Sequence, residues 1–270
     1  MKPLLIALLL ASLLAPVLAQ GQSINNKARA QPPEPAPSAV VDNIKRDPRK
    51  FAVLSVLGDN VQLISLTPAR GDGVQPGDWT ASPTGGLDNA VLKVLDESIK
   101  AGGPGREVKL YTTSTRSLFG DPAQLFVGSK LALPGQLGDA VRQSGAGWLL
   151  LVTRNRQDAA LAALLPPRIQ ASLDGPGFVL DQRPGGQIGF DGQGGLPVLA
   201  AFMSIRVALV DLGDLQLKRE QSIAVAARLP VGREAAANPW AALPVNQRVK
   251  ALEALIEAEL PRAVKGLVVP

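Results

Sequence analysis

Gly58-Asp59-Asn60 lies between two apolar runs, Phe51 to Leu57 and Val61 to Leu66. A carboxylate in a Gly-led loop after a first strand can serve hydrolysis if a nucleophile and a base stand beside it. The local sequence offers neither, because the position after Asp59 is Asn60. The chain has no histidine, which removes Ser-His-Asp triads, histidine-held zinc or iron, and the usual general base near neutral pH. It has no cysteine either, so thiol catalysis, disulfides and a lipidated cysteine are excluded together.

Three chemistries survive that filter. Ser-Lys catalysis needs a serine and a lysine one helical turn apart; only Gly128-Ser129-Lys130 comes near, with the two groups adjacent, and there is no Gly-x-Ser-x-Gly elbow. Paired carboxylates could act as acid and base. Asp96, Glu97, Glu253, Glu257 and Glu259 instead read as solvated helix faces, and Asp211 and Asp214 as turn formers. Sugar platforms are scarce, with three Trp, one Tyr and six Phe. An all-oxygen calcium site would draw on Asp174, Asp181 and Asp191 around "GGQIGFDGQGG" (185–195), but the calcium-binding glycine repeat needs tandem copies and tighter spacing. No phosphate-binding loop or dinucleotide fingerprint occurs. No catalytic, cofactor-binding or metal-binding residue is therefore assigned, and no cofactor is expected.

Hydrophobic periodicity supplies the scaffold. The two runs flanking Gly58-Asp59 read as strands of a hairpin with a two-residue type II′ turn, pairing Val56 with Val61, Ser55 with Gln62 and Leu54 with Leu63. Residues 67–86 read as loop. Leu87, Val91, Val94, Leu95 and Ile99 share one face of a helix that Gly102-Gly103 stops. "EVKLYTT" (107–113) reads as a strand, 136–144 as a short helix, "GWLLLVT" (147–153) as a buried strand and 155–165 as another short helix. The glycine-rich segment 174–197 reads as a loop, of the kind that is functional or mobile. Residues 202–212 and 215–229 form a long hairpin turning at Gly213-Asp214, with Ile205, Val207 and Leu209 on its buried face. A last helix starts at Asn246 as N-cap and should kink or end at Pro261. Trp148 opens a strand, while Trp79 and Trp240 fall in loops; packing over strand ends is the expected role.

The amino terminus sets the compartment. Lys2, the apolar run Leu4 to Leu14 and the small residues of Val17-Leu18-Ala19 describe a signal peptide cleaved after Ala19. Eleven apolar residues are too few for a membrane span, which takes about 20. Cleavage removes only Lys2 from a net charge of +5. Nucleic acid is excluded more by compartment than by charge. The one basic cluster, Lys45, Arg46, Arg49 and Lys50, is diluted by Asp42 and Asp47 and reads as a solvated entry to the first strand. Pro32, Pro33, Pro35 and Pro37 mark a disordered tether.

The carboxy-terminal half resembles a periplasmic α/β domain found in the amino-terminal region of TolB, in CsgG and in LpoB. The residues that carry the likeness are the opening strand "FAVLSVL", the helix-to-strand passage "SGAGWLLLVTRNR", the hairpin "VALVDLGDLQL" and the closing helix "NQRVKALEALIEAEL". The chain departs from that pattern at Gly147-Trp148, where the family has Asp, in the hairpin turn, which lacks Thr, and in having no lipidation cysteine. It is also similar to uncharacterised exported proteins of proteobacteria with an "FA-v-S-x-x-GD" start. The resemblance implies a non-enzymatic envelope protein and transfers no catalytic residue.

The reading is thus an α/β protein, with α+β as the variant, organised as signal peptide 1–19, Pro-rich tether 20–50 and a single mixed α/β domain 51–268 that starts with a hairpin and carries the Gly-rich insertion 174–197. Its expected role is that of a soluble periplasmic interaction or envelope-assembly factor with an envelope protein as partner, no membrane span and no covalent lipid anchor. The alternatives are a secreted hydrolase, distantly like the Gly-Asp-Ser-Leu type, with its site near Asp59, and a small-ligand binder under the 174–197 loop. Partner identity and oligomeric state are not legible.

Overall fold

The computed structural model describes residues 44–66, 75–80, 86–158, 172–182, 197–232, 234 and 238–268. The leader, most of the tether, Asp191 and the rest of the glycine-rich stretch beyond Gln182 lie outside the described residues, apart from Pro197. In chain order the elements are β1 (Asp47–Val56), β2 (Asn60–Leu66), β3 (Gln75–Thr80), α1 (Gly86–Ala101), β4 (Glu107–Tyr111), β5 (Phe126–Val127), β6 (Lys130–Leu131), α2 (Gly135–Arg142), β7 (Ala146–Arg154), β8 (Arg156–Asp158), β9 (Ser172–Asp181), β10 (Val198–Asp211), β11 (Leu217–Leu229), α3 (Pro239–Ala242) and α4 (Val245–Val268). They form one mixed α/β domain built on a nine-stranded sheet, with β5 and β6 as a separate small ribbon.

Phe51 to Leu57 is buried without a break, and a strand with neither face in water must be central. β1 accordingly has a parallel neighbour on each edge, β4 on one side and β7 on the other. Both edges being taken, β1 has no room for β2, and the expected hairpin across Gly58-Asp59 does not form. β2 instead carries on along the line of β1 and pairs with β9 in parallel and β3 antiparallel. The first hairpin of the fold is β2–β3.

A second line repeats this arrangement. β7 and β9 both pair antiparallel with β10, β7 against Ile205–Asp211 and β9 against Val198–Ser204. They therefore lie end to end, with Arg154 opposite Ile205 and Gly175 opposite Ser204. The sheet is two half-sheets meeting at a seam, and the β10–β11 hairpin spans both.

Side chains of β10 alternate between the two faces. Ala201, Met203, Ile205, Val207 and Leu209 join the core under α1 and α4. Ala208 and Val210 join a second core with Leu54, Leu149, Leu151 and Val141 of α2. Ala200 and Phe202 join a third with Ile64 and Val179. The expected one-sided burial of this strand is thus two-sided. α1 supplies six buried residues, Leu87, Val91, Leu92, Val94, Leu95 and Ile99, each stabilising by about 2 kcal/mol against exposure.

Further expectations change. Gln75–Thr80, within the stretch 67–86 read as loop, is strand β3 and carries Trp79. Residues 174–181 of the glycine-rich segment are core strand, because the Phe202 ring occupies the space over Gly177, where a Cβ would sit 2.2 Å from Phe202 Cζ. Residues 156–158 are strand β8 rather than the start of a helix. α4 begins at Val245, with the Pro244 carbonyl accepting from Gln247 and Arg248, so Asn246 lies inside the first turn. It also runs through Pro261: Ala263, Val264 and Leu267 beyond it are buried, which outweighs the proline penalty of about 3 kcal/mol. β1 starts at Asp47, within the stretch read as tether, where its N–H donates to the Gly145 carbonyl.

Candidate functional site

The Gly58-Asp59-Asn60 stretch, read against its surroundings, is the seam itself. Breaking two strands frees backbone groups that must find partners if buried. Asp88, in the first turn of α1, accepts the N–H of Leu57 at 3.0 Å, the N–H of Gly58 at 3.1 Å and the Ser55 hydroxyl at 2.5 Å. The guanidinium of Arg154 donates to the carbonyls of Asn60 (2.7 Å) and Leu57 (3.4 Å) and, across the seam, to the Asp174 carbonyl (2.8 Å) and carboxylate (3.1 Å). Gly58 and Gly175, at φ +69° and +68°, let both strand lines jog there. A Cβ at Gly175 would meet Arg154 at 2.8 Å, and one at Gly58 the Phe119 ring at 3.1 Å.

This arrangement holds the fold, its polar groups taking one another as partners. Ser55, the hydroxyl nearest Asp88, is 2% exposed, and three donors saturate the carboxylate that would have to act as its base. Asp59 is half-buried beside this clamp, not displayed on a hairpin tip.

Several of the other carboxylates and hydroxyls weighed from sequence go to structural partners. Asp96 pairs with Lys100 and Glu259 with Arg262. Asp211 accepts the Gly213 N–H at 2.7 Å and Asp214 the Gln216 N–H at 2.9 Å, as turn formers do. Ser129 donates to Gln216 at 2.6 Å. Asp174 belongs to Arg154. Among the described residues no three His, Cys, Asp or Glu side chains gather as a metal site would require. Trp240 sits in α3, edge-on to Phe178 at 5.2 Å with the Arg248 guanidinium 3.7 Å from its ring centre; burial holds that guanidinium below its ordinary pKa.

At the opposite end of β1 lies an open cleft of about 500 Å³. Arg49, Arg106, Lys218 and Arg219 line it over Phe51 and Trp148, and no carboxylate lines it. Arg106 follows the Gly102-Gly103 stop of α1 and lies 5.8 Å from the centre of the Phe51 ring, a cation–π contact. A Cβ at Gly102 would overlap this guanidinium, at 2.2 Å from its nearest nitrogen. A second cleft of about 560 Å³, walled by Ala101, Pro261 and Val264, adjoins the first and shares Arg106 and Val268 with it.

Arg49 and Lys218 have carboxylates at their backs. Arg49 bonds Asp47 through its N–H and its guanidinium, which holds the Asp47 carboxyl below its ordinary range. The Asp214 side chain holds Lys218 above its own. Arg219 donates to the Leu267 carbonyl at 3.5 Å. Arg106, among the described residues, has no carboxylate. α1 and α4 both end here, each bringing about half a negative charge, so the fold attracts cations to this place. That field does not account for a lining of four cations and no acid.

Sequence reasoning singled out Arg49 within the cluster at 45–50 but assigned it to solvent; Lys50 indeed pairs with Glu107 at 2.9 Å and Arg46 turns to the Arg142 carbonyl. Arg106, Lys218 and Arg219 were missed. They come from a loop and a distant strand, and no spacing in the chain links them.

No family model and no curated protein matches this chain. Among solved structures, it is similar to a Xanthomonas campestris protein of the DUF330 family at 10% identity, covering 81% of this chain and 86% of that one with a TM-score of 0.35. A PelC dodecamer from Paraburkholderia phytofirmans matches at 12% identity, 83% and 90% coverage and a TM-score of 0.31. A minor lipoprotein from Acinetobacter baumannii matches at 9% identity, 83% and 96% coverage and a TM-score of 0.32. At identities and scores this low they assign neither family nor activity, and the likeness to TolB, CsgG and LpoB is not established by them.

Proposed function

We propose that this chain is an exported, non-enzymatic envelope protein that works by binding, and that its cleft receives an acidic segment of a partner protein at Arg106. Export rests on the leader read in residues 1–19, and the role in envelope assembly on the sequence likeness to the TolB, CsgG and LpoB domain. The observation that supports the binding reading is a single one: four cations and two aromatic rings line a cleft of about 500 Å³ that contains no carboxylate. A partner carboxylate entering there meets Arg106 through two N–H donors, while Phe51 and Trp148 offer apolar surface beside it. Association through such a site falls with ionic strength, because the cleft is open and screened within about 10 Å at 0.1 M salt.

The test is recovery of partners from the periplasm with the tagged protein and with its Arg106→Glu variant. A protein captured by the wild type at low salt and recovered at least tenfold less by the variant is the expected result. Equal capture by both, or no protein captured by the wild type, would overturn the reading. Because Arg106 is partly exposed, the variant should keep the wild-type unfolding midpoint, and circular dichroism checks this.

A further inference from the structure

β11 is the long outer strand of the sheet; its first residue, Leu217, donates to the Ser129 carbonyl beside β6, and beyond it, among the described residues, β11 pairs only with β10. Natural sheets blunt such edges with charge, proline or a bulge. Here Lys218, Arg219 and Glu220 stand near one end and Arg228 near the other, while Ser222–Ala227 between them is "SIAVAA", without a charge. Ala224, Val225 and Ala226 remain partly accessible and Ala227 and Arg228 exposed.

We infer that the outer edge of β11 pairs antiparallel with the same edge of a second copy, about a two-fold axis at Ala224. Residues on one face of an antiparallel pair must oppose residues of the same face, so the register moves only in steps that keep side-chain parity. With Ala224 opposite Ala224, Glu220 faces Arg228 of the other copy, and by symmetry this contact forms twice. Both residues lie on the same face of β11, since they pair with Ala208 and Ala200 of β10. The Glu220 carboxylate already contacts Arg206 and is half exposed, so a second cation adds to an acid that is in place. Arg228 has no carboxylate of its own among the described residues. On the other face Ile223 opposes Val225 twice, a favourable β-branched pairing. Moving the axis to Ile223 sets Lys218 against Arg228, a like-charge contact, and moving it to Val225 sets Glu220 against Pro230. The two-fold at Ala224 is the register that charge selects. From Arg219 to Leu229 it spans about 36 Å of strand.

The chain's lack of cysteine makes the test clean. Two Cα atoms directly opposite each other in an antiparallel pair are about 4.5 to 5.5 Å apart, within disulfide reach. Ala224→Cys should therefore yield a covalent dimer under mild oxidation. Ser222→Cys, whose counterpart in the pair is Ala226, should yield at least tenfold less. Sedimentation equilibrium of the unmodified protein should show a concentration-dependent dimer. Arg228→Glu should weaken it, and Arg228→Glu combined with Glu220→Arg should restore it. A monomer at every concentration, equal cross-linking from positions 222 and 224, or an undiminished dimer in Arg228→Glu would each overturn the inference. So would an edge occupied by a different protein's strand, which appears as a monomer that cross-links to itself at neither position.

Discussion

The two ends of β1 are built in opposite ways. At its carboxyl end a carboxylate and a guanidinium meet the freed N–H and C=O groups of the seam, and the serine there is sealed from solvent. At its amino end four cations line an open cleft that no acid enters. Open α/β sheets commonly bind ligands beyond the carboxyl ends of their strands. Here that place, at the amino end of α1, is filled by Asp88, an anion the chain supplies to itself. At the seam the polar groups take one another as partners; at the cleft Arg49 and Lys218 are paired with acids behind it, and Arg106 has no carboxylate among the described residues.

Substitutions at the two ends should separate along that line. Arg154 is 12% exposed at its side chain, and Arg154→Ala strands the Asn60 and Leu57 carbonyls together with Asp174. Asp174 and Asn60 keep contact with water, so the change should cost about 2 kcal/mol in urea unfolding. A loss under about 1 kcal/mol would mean that the seam is held by something else. Asp88→Ala removes the acceptor of three donors and should cost about 2 kcal/mol, with hydrogen exchange at Leu57 and Gly58 quickened relative to the rest of β1. The Arg106→Glu variant belongs at the other extreme, altering capture and not the unfolding midpoint. The smallest effect is expected from acid. Asp47 is held below its ordinary range by Arg49, so its contribution is present above the unfolded pKa of about 3.8 and is lost as pH falls through the lower folded value. Asp47→Asn should remove that small contribution at neutral pH and flatten the stability profile below pH 4.

How much of this the sequence disclosed depends on whether a single element carried the information. α1, β7 and the β10–β11 hairpin with its Asp211 and Asp214 turn were legible because periodicity and turn chemistry are local. The junction after β1 was misread although its signal was present. Val56 and Val61 match in polarity, so a hairpin register could be drawn, yet Phe51 to Leu57 is apolar at every position but Ser55, much like Trp148 to Val152. Both runs mean burial on two faces, and such a strand is central, with a neighbour on each edge. β9 was hidden by Gly175, Pro176 and Gly177, where composition argued for loop and the ring of Phe202, from a strand 25 positions on, supplied the missing bulk. The cleft was invisible for a related reason. Arg49, Arg106, Trp148 and Lys218 are brought together by sheet topology, which no spacing along the chain encodes.

The seam has a further meaning. β7 leaves the sheet opposite Ile205 and β9 re-enters it opposite Ser204, so the chain departs and returns at neighbouring points. On the line beside it, β1 passes to β2 through three residues, Leu57 to Asp59. The same step is made once by three residues and once by seventeen, 155–171, of which Arg156–Asp158 form β8 against β9, and β10 acts as the splint that keeps both lines straight. The splint and not the link sets this geometry: three residues on one line and seventeen on the other meet the same end-to-end placement of strands.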